Sequence, residues 1–533
     1  MARALAAAIV VSLLAISGAG GAPSQTPKLG GTIVFAGVFE PACLNQLVLR
    51  CTNSSQDVTF ALEKVLLPAF DVDARFKYRP RLVTRVTVSH GPPVTLTYHI
   101  RPEARWSDGV PVTAADFLFT HAARLALRSS LDPYAQAQLL HVRSVTAVGG
   151  KTVRVTLRSP FSGWQTLFPE VLPRHVLQGV DLSKIWLDHI DDPKTGTPIG
   201  SGPFLVESLE PGHELTLIRN PRYWGPHLAR VDRLVIRYDV DDPVDPLLHG
   251  DLDIARIFPS EVPALRSEPD VRVTAPPSSG YEHFAFRLGS GGHPALRNPL
   301  VRRALAYSID RAAILRALGR PNRRALQSVV YLVQSPYHRA NWARYRPRPA
   351  LARSLFARAG CRRGTDGIYS CGGRRLSLRF VTSAGFPTRQ TVLATVQAQL
   401  RRVGVEVVPT YVSNSAFVPR VLPSGRFDVA LFGFQFDPNA AGVATIYDCG
   451  GRDNYTGYCS RRVSRELARA SRMLEGTAQA RVLNDADRKI ASDVPVLPLY
   501  QLAPPTAVRR SVKEFVQLPY NPLADAENWW LDR

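Results

Sequence analysis

Six cysteines fall along this 533-residue chain as three close pairs: Cys43 with Cys51, Cys361 with Cys371, and Cys449 with Cys459. Sequence alone leaves several connectivities open. Local pairing is favoured, because each pair closes a short loop of eight to ten residues. Such bonds persist where a chain folds outside the reducing cytoplasm, and the N-terminus supplies a route there. Arg3 precedes the apolar run Ala4 to Ile16, and small residues from Ser17 to Ala22 follow it. That is the layout of a secretory signal over residues 1–22. The run is shorter than the ~20 apolar residues that span a bilayer. Cys43, the first cysteine after it, is too distant to suggest a lipoprotein anchor. The chain is therefore expected to be exported, to the periplasm or the outer face of the cytoplasmic membrane. Zinc is the rival use of cysteine, but no C-x-x-C or H-x-x-x-H spacing occurs, so no metal site is expected.

A chain of this length exceeds one ordinary hydrophobic core, so two or three domains are expected. With 45% hydrophobic and 21% charged residues, extended disorder is excluded. Lys and Arg number 66 against 44 Asp and Glu, and only 8 of the 66 are Lys. The arginines are scattered along the chain, with no basic tail or aromatic-interleaved stripe, so no nucleic-acid partner is expected. G-x-S-x-G, H-E-x-x-H and a complete Walker A are absent. Gly149-Gly150-Lys151-Thr152 resembles the end of a phosphate loop, but alternation on both flanks reads as two strands around a tight turn. Nothing nominates a nucleophile, an acid/base pair or a cofactor, so no enzyme is expected.

What the chain does carry is an ordered run of elements. Thr32 to Ala36 reads as a short buried strand and Val94 to Ile100 as a half-buried one. Trp106-Ser107-Asp108-Gly109-Val110-Pro111 is a turn by its Asp-Gly-x-Pro, and Thr113 is an N-cap for a helix running to Leu127.

The stretch Leu96 to Phe119 closely resembles the signature of extracytoplasmic solute-binding proteins of family 5, the peptide and nickel class that serves ATP-binding-cassette (ABC) importers. Further matches follow in order: Gly200 to Phe204, Arg219-Asn220-Pro221-Arg222-Tyr223-Trp224-Gly225, Leu247 to Ala255, Leu300 to Arg311, Asp437-Pro438, Asn454 to Tyr458, and Pro495 to Tyr500. The resemblance implies an α/β, two-lobed, periplasmic-binding-protein-like clamp with an additional third domain, acting as a monomer. Lobe I would take 29–57, 195–281 and 500–533; the extra domain 58–194; lobe II 282–499. Crossings near Tyr281 to Leu288 and Val494 to Leu502 would form the hinge. The partners implied are a small solute, a peptide being favoured, and the importer's membrane permease subunits. A sugar, a metal chelate or an anionic metabolite shares the remaining field, as does a receptor that has lost its importer. An exported hydrolase on the same scaffold would need a nucleophile that no motif proposes.

Ligand-facing residues carried over from the family are Val38, Phe39 and Glu40 after the first strand, and Phe434, Gln435, Phe436 and Asp437 after a strand over Phe427 to Phe432. Alternation of Phe432, Phe434 and Phe436 equally suits a sheet face in a core. Peptide binders of the family keep an acidic residue four positions before the Pro of this segment; here Phe434 stands in its place, leaving Asp437 as the candidate substitute. Leu44-Asn45-Gln46 stands where the family commonly has Leu-Asp-Pro.

Overall fold

The computed structural model describes residues 26–37, 40–52, 56–89, 91–131, 133–437 and 439–533; the expected signal lies outside them. Three sheets organise the chain. A seven-stranded sheet has the order Val271–Thr274, Thr506–Arg509, Ile254–Arg256, Thr32–Ala36, Arg233–Arg237, Glu214–Arg219, Phe204–Glu210. A five-stranded sheet has the order Glu406–Val412, Ser377–Ser383, Val429–Gln435, Gly280–Phe286, Val496–Gln501. A four-stranded antiparallel sheet has the order Val83–Ser89, Thr95–Ile100, Thr152–Leu157, Val142–Gly149.

Local chemistry explains most of these elements. The Gly149-Gly150 segment closes an antiparallel hairpin between Val142–Gly149 and Thr152–Leu157, so it is a turn and not a phosphate loop. At the start of helix Ala114–Ala126, the Asp116 carboxylate accepts the Thr113 N–H at 2.7 Å, satisfying an amide that has no partner inside the helix. Helix Val244–His249 stops at Gly250, whose φ of +92° is open chiefly to glycine. That stop delivers the chain into strand Ile254–Arg256.

Burial gathers most of the molecule into two large cores, and a small cluster of Phe76, Tyr281, Leu326, Leu332 and Phe436 lies between them. One continuous core joins the seven-stranded and four-stranded sheets, from Ile33 and Phe35 through Tyr98 and Phe117 to Ile236 and Trp529. The Lys64 ammonium, 1% exposed, fastens this body by donating to the Ala524 carbonyl and facing Glu527. Glu527 also takes Arg81 at 2.7 Å. A separate core surrounds the five-stranded sheet. The chain passes between the bodies at residues 275–279 and 502–505, where the Ser278 N–H donates to the Leu502 carbonyl at 2.8 Å. The expected hinge segments are thus strands Gly280–Phe286 and Val496–Gln501, paired antiparallel within one sheet. Among the described residues no helix is long and apolar enough to cross a membrane. Disulfides join Cys43 to Cys51, Cys361 to Cys371 and Cys449 to Cys459.

Candidate functional site

Strands Ser377–Ser383, Glu406–Val412 and Val429–Gln435 run parallel, and the third ends at the residues nominated from sequence. That strand ends three residues beyond its expected end at Phe432, so Phe434 and Gln435 close it instead of opening a loop. Open α/β sheets take ligands just past the carboxyl ends of their strands. A cavity of about 300 Å³ lies there, walled by Tyr281, Phe434 and Phe436 and edged by Gln435, Asp437, Arg452 and Asp453.

Strand register determines which rings face it. Tyr281 pairs with Phe434, and His283 with Phe432. The Phe434 ring is half-buried, stacked between His283 at 5.1 Å and Tyr455 at 6.5 Å, with the edge of Phe432 at 5.0 Å. Phe432 is 5% exposed and belongs to the core. Phe436 leaves the strand and packs on Tyr281 at 4.6 Å. The alternation therefore yields a core ring, a half-buried wall and a second, buried ring that borders both cavities, in that order. His283 is buried among these rings, and burial lowers its imidazole to about 3, so it is neutral.

Asp437 is exposed and lines the cleft. Desolvation raises its carboxyl to about 6, against the lowering effect of the Asn439 N–H, which donates to it at 2.7 Å. Arg452 and Asp453 pair at 3.1 Å on the same wall. They lie within the loop closed by Cys449–Cys459, which holds them beside the strand end. On the opposite face of strand Gly280–Phe286, Glu282 pairs with Arg389 at 2.8 Å, both largely buried. Burial raises the Glu282 carboxyl and the Arg389 guanidinium opposes that rise.

A second cavity adjoins the first through Phe436 and Asp437, and its far wall belongs to the four-stranded-sheet body: Arg75, Phe76 and Lys77. Glu475 joins this space and accepts Gln165 at 2.9 Å across the two bodies. Desolvation raises its carboxyl, with Lys77 as the first opposing influence.

The sequence-nominated residues part company here. Phe434, Gln435, Phe436 and Asp437 share the cleft. The Glu40 carboxylate instead accepts the Gly212 N–H at 2.5 Å, capping the turn between Phe204–Glu210 and Glu214–Arg219, and does not line these cavities. Val38, Phe39 and Pro438 lie outside the described residues. Asn45 is a buried brace: its amide donates to the Leu182 carbonyl at 2.8 Å and its oxygen accepts the Leu47 N–H at 3.0 Å. Tyr281, Arg452, Asp453, Arg75 and Lys77 were not nominated. For Arg452 and Asp453 a signal existed, the close cysteine pair around them; for Arg75 and Lys77 there was none. Among the described residues no three His, Cys, Asp or Glu side chains gather as a metal site.

A family model described as "Bacterial extracellular solute-binding proteins, family 5 Middle" matches residues 77–454. The chain is 22% identical over 523 residues to the "Oligopeptide-binding protein AppA" of Bacillus subtilis, covering 95% of this chain and 92% of that one. It is 26% identical over 449 residues to the "Probable monoacyl phosphatidylinositol tetramannoside-binding protein LpqW" of Mycobacterium tuberculosis, covering 77% and 68%. Among solved structures, the "Periplasmic EDTA-binding protein EppA" superposes with a TM-score of 0.83 at 21% identity, covering 96% of this chain and 98% of that one; this likeness shows the fold.

Proposed function

The chain belongs to the bacterial extracellular solute-binding proteins of family 5, a class serving ABC importers, and on that premise we propose that it captures a short peptide in the cleft beside Phe434 and Asp437. The observation that carries this reading is the pairing of aromatic walls with opposed charges in two adjoining cavities. Tyr281, Phe434 and Phe436 offer apolar burial; Asp437 offers an anion to a free amine; Arg75 and Lys77 line the smaller adjoining cavity of about 20 Å³, which Asp437 also borders, from the other body. A zwitterion laid between them is held at both ends, and it draws the bodies together because each supplies one end. No bond is broken, so delivery rests on the closed form being the one that docks on the permease. In this reading lobe I comprises 29–57, 195–281 and 500–533, the extra domain 58–194, and lobe II 282–499. The name of AppA supports a peptide, whereas that of EppA supports an anionic chelate for which Asp437 would be unfavourable.

The test is calorimetry with free and N-acetylated tripeptides and with nickel–EDTA, beside native mass spectrometry of protein purified from its host. Free peptides are expected to bind, with acetylation weakening them at least about tenfold, the scale of one lost charge-assisted hydrogen bond. Binding of the chelate with none of either peptide overturns the peptide reading. Unaltered binding of a captured solute by Asp437→Asn and Phe434→Ala overturns the cleft.

A further inference from the structure

The positive charge of this chain is partitioned. Residues 282–499 hold 34 Lys and Arg against 13 Asp and Glu, a net of +21, while the remainder holds 32 against 31, a net of +1. Almost the whole excess therefore sits on the body built around the five-stranded sheet.

Its densest part lies at the end of that sheet away from the cleft. Ser377 pairs with Glu406 and Phe380 with Val429, so the three parallel strands begin side by side. Arg374 and Arg375 stand two to three positions before the first, Arg401 and Arg402 end the helix Pro387–Arg402 that leads into the second, and Arg426 stands three positions before the third. The small sheet of Cys361–Arg363, Tyr369–Cys371 and Arg374–Arg375, stapled by Cys361–Cys371, adds Arg362 and Arg363. All seven arginines are exposed. Arg375 is neutralised between Asp366 and Glu406, and the nearby Asp428 is taken by Arg379. None of the other six forms an ion pair among the described residues. Seven-residue strands separate this end from Gln435 by roughly 20 Å, well beyond a Debye length of ~8 Å, so the charge does not serve the cleft.

We propose that this basic end docks on an anionic lipid bilayer, holding the protein at the membrane surface. Six guanidiniums without an ion-pair partner among the described residues are spread over a sheet end and a hairpin. Such an array matches a laterally continuous layer of phosphate charge better than a compact partner. A permease receiving solute must meet the cleft, at the other end of the sheet. A single-stranded nucleic acid would call for stacking rings among the cations, and neither Arg362–Arg363 nor Arg401–Arg402 is flanked by an exposed aromatic.

The test is co-sedimentation of the full chain with phosphatidylcholine vesicles, with and without phosphatidylglycerol, at low and at physiological salt. Binding is expected only to the anionic vesicles, falling at least about tenfold with added salt. Joint Arg362→Glu, Arg363→Glu, Arg374→Glu and Arg402→Glu replacement removes it. A matched Arg128→Glu, Arg143→Glu, Arg154→Glu and Arg158→Glu set on the other body leaves it unchanged. Absence of wild-type binding to anionic vesicles, equal binding to neutral ones, or equal loss in both sets overturns the proposal. So does capture of inorganic polyphosphate with no vesicle binding. The wild-type salt and lipid comparisons stand even if the reversed variant fails to fold.

Discussion

Replacing Phe434 by Ala separates a cleft wall from a core residue. A fully buried Phe truncated to Ala costs about 3–5 kcal/mol. Phe434 is half-buried, and its packed faces meet His283, Tyr455 and Phe432, while its open side lines the cavity. About half the burial cost then applies, and with the stacking contribution the loss comes to about 2 kcal/mol. For a lobe of roughly 200 residues that lowers its melting temperature by about 4–8 °C. The neighbouring Phe432→Ala, at 5% exposure, serves as the reference for a core ring and should cost the full about 3–5 kcal/mol. Scanning calorimetry on both variants, with titration of the captured solute, reads stability and binding together. Phe434→Ala should retain a cooperative transition and lose affinity. If it destabilises as much as Phe432→Ala and binds as the wild type does, Phe434 is core and the cleft assignment fails. Phe434→Asp complements it: restoring an acidic residue four positions before Pro438 should raise affinity for free peptides, and no gain would show that another position sets selectivity.

Asp437 confers a pH dependence with a definite sign. Its carboxyl keeps a proton up to about 6 when folded and releases it near 3.9 when unfolded, so between those values the folded state binds more protons and stability falls as pH rises. Asp437→Asn lacks this loss, so its melting temperature should gain on the wild type between pH 4 and 7; parallel curves would refute the assignment. Arg389→Met leaves the Glu282 carboxylate unpaired in a central strand and should cost about 3–5 kcal/mol in urea unfolding, whereas a loss below about 1 kcal/mol would mean that water reaches the pair. Replacing Cys449 and Cys459 together by Ser should cost about 2–3 kcal/mol on the loop-entropy estimate and weaken solute binding by freeing Arg452 and Asp453; undiminished affinity would remove that loop from the wall.

Much of this protein was written locally. The Gly149-Gly150 hairpin, the Thr113–Asp116 start of a helix and the glycine stop at Gly250 each depend on a few adjacent residues, so the sequence states them directly. The cysteine pairs are equally local, because a short loop keeps its ends together before any fold exists. Ordered motifs from Leu96 to Tyr500 carried the family as well. Tertiary structure alone decided what those elements face. Period-two alternation puts Phe432 and Phe434 on one side of a strand but does not say where the core ends and the cleft begins; the register with Tyr281 and His283 settles that. Glu40 looked like a ligand group beside a strand end, yet a turn from residues 210–214 reaches it first. Arg75 and Lys77 come to Asp437 from some 360 residues away in sequence, a meeting no local pattern encodes. The charge excess over residues 282–499 is a property of the sequence; that six of its arginines gather at one sheet end follows only from three parallel strands beginning side by side.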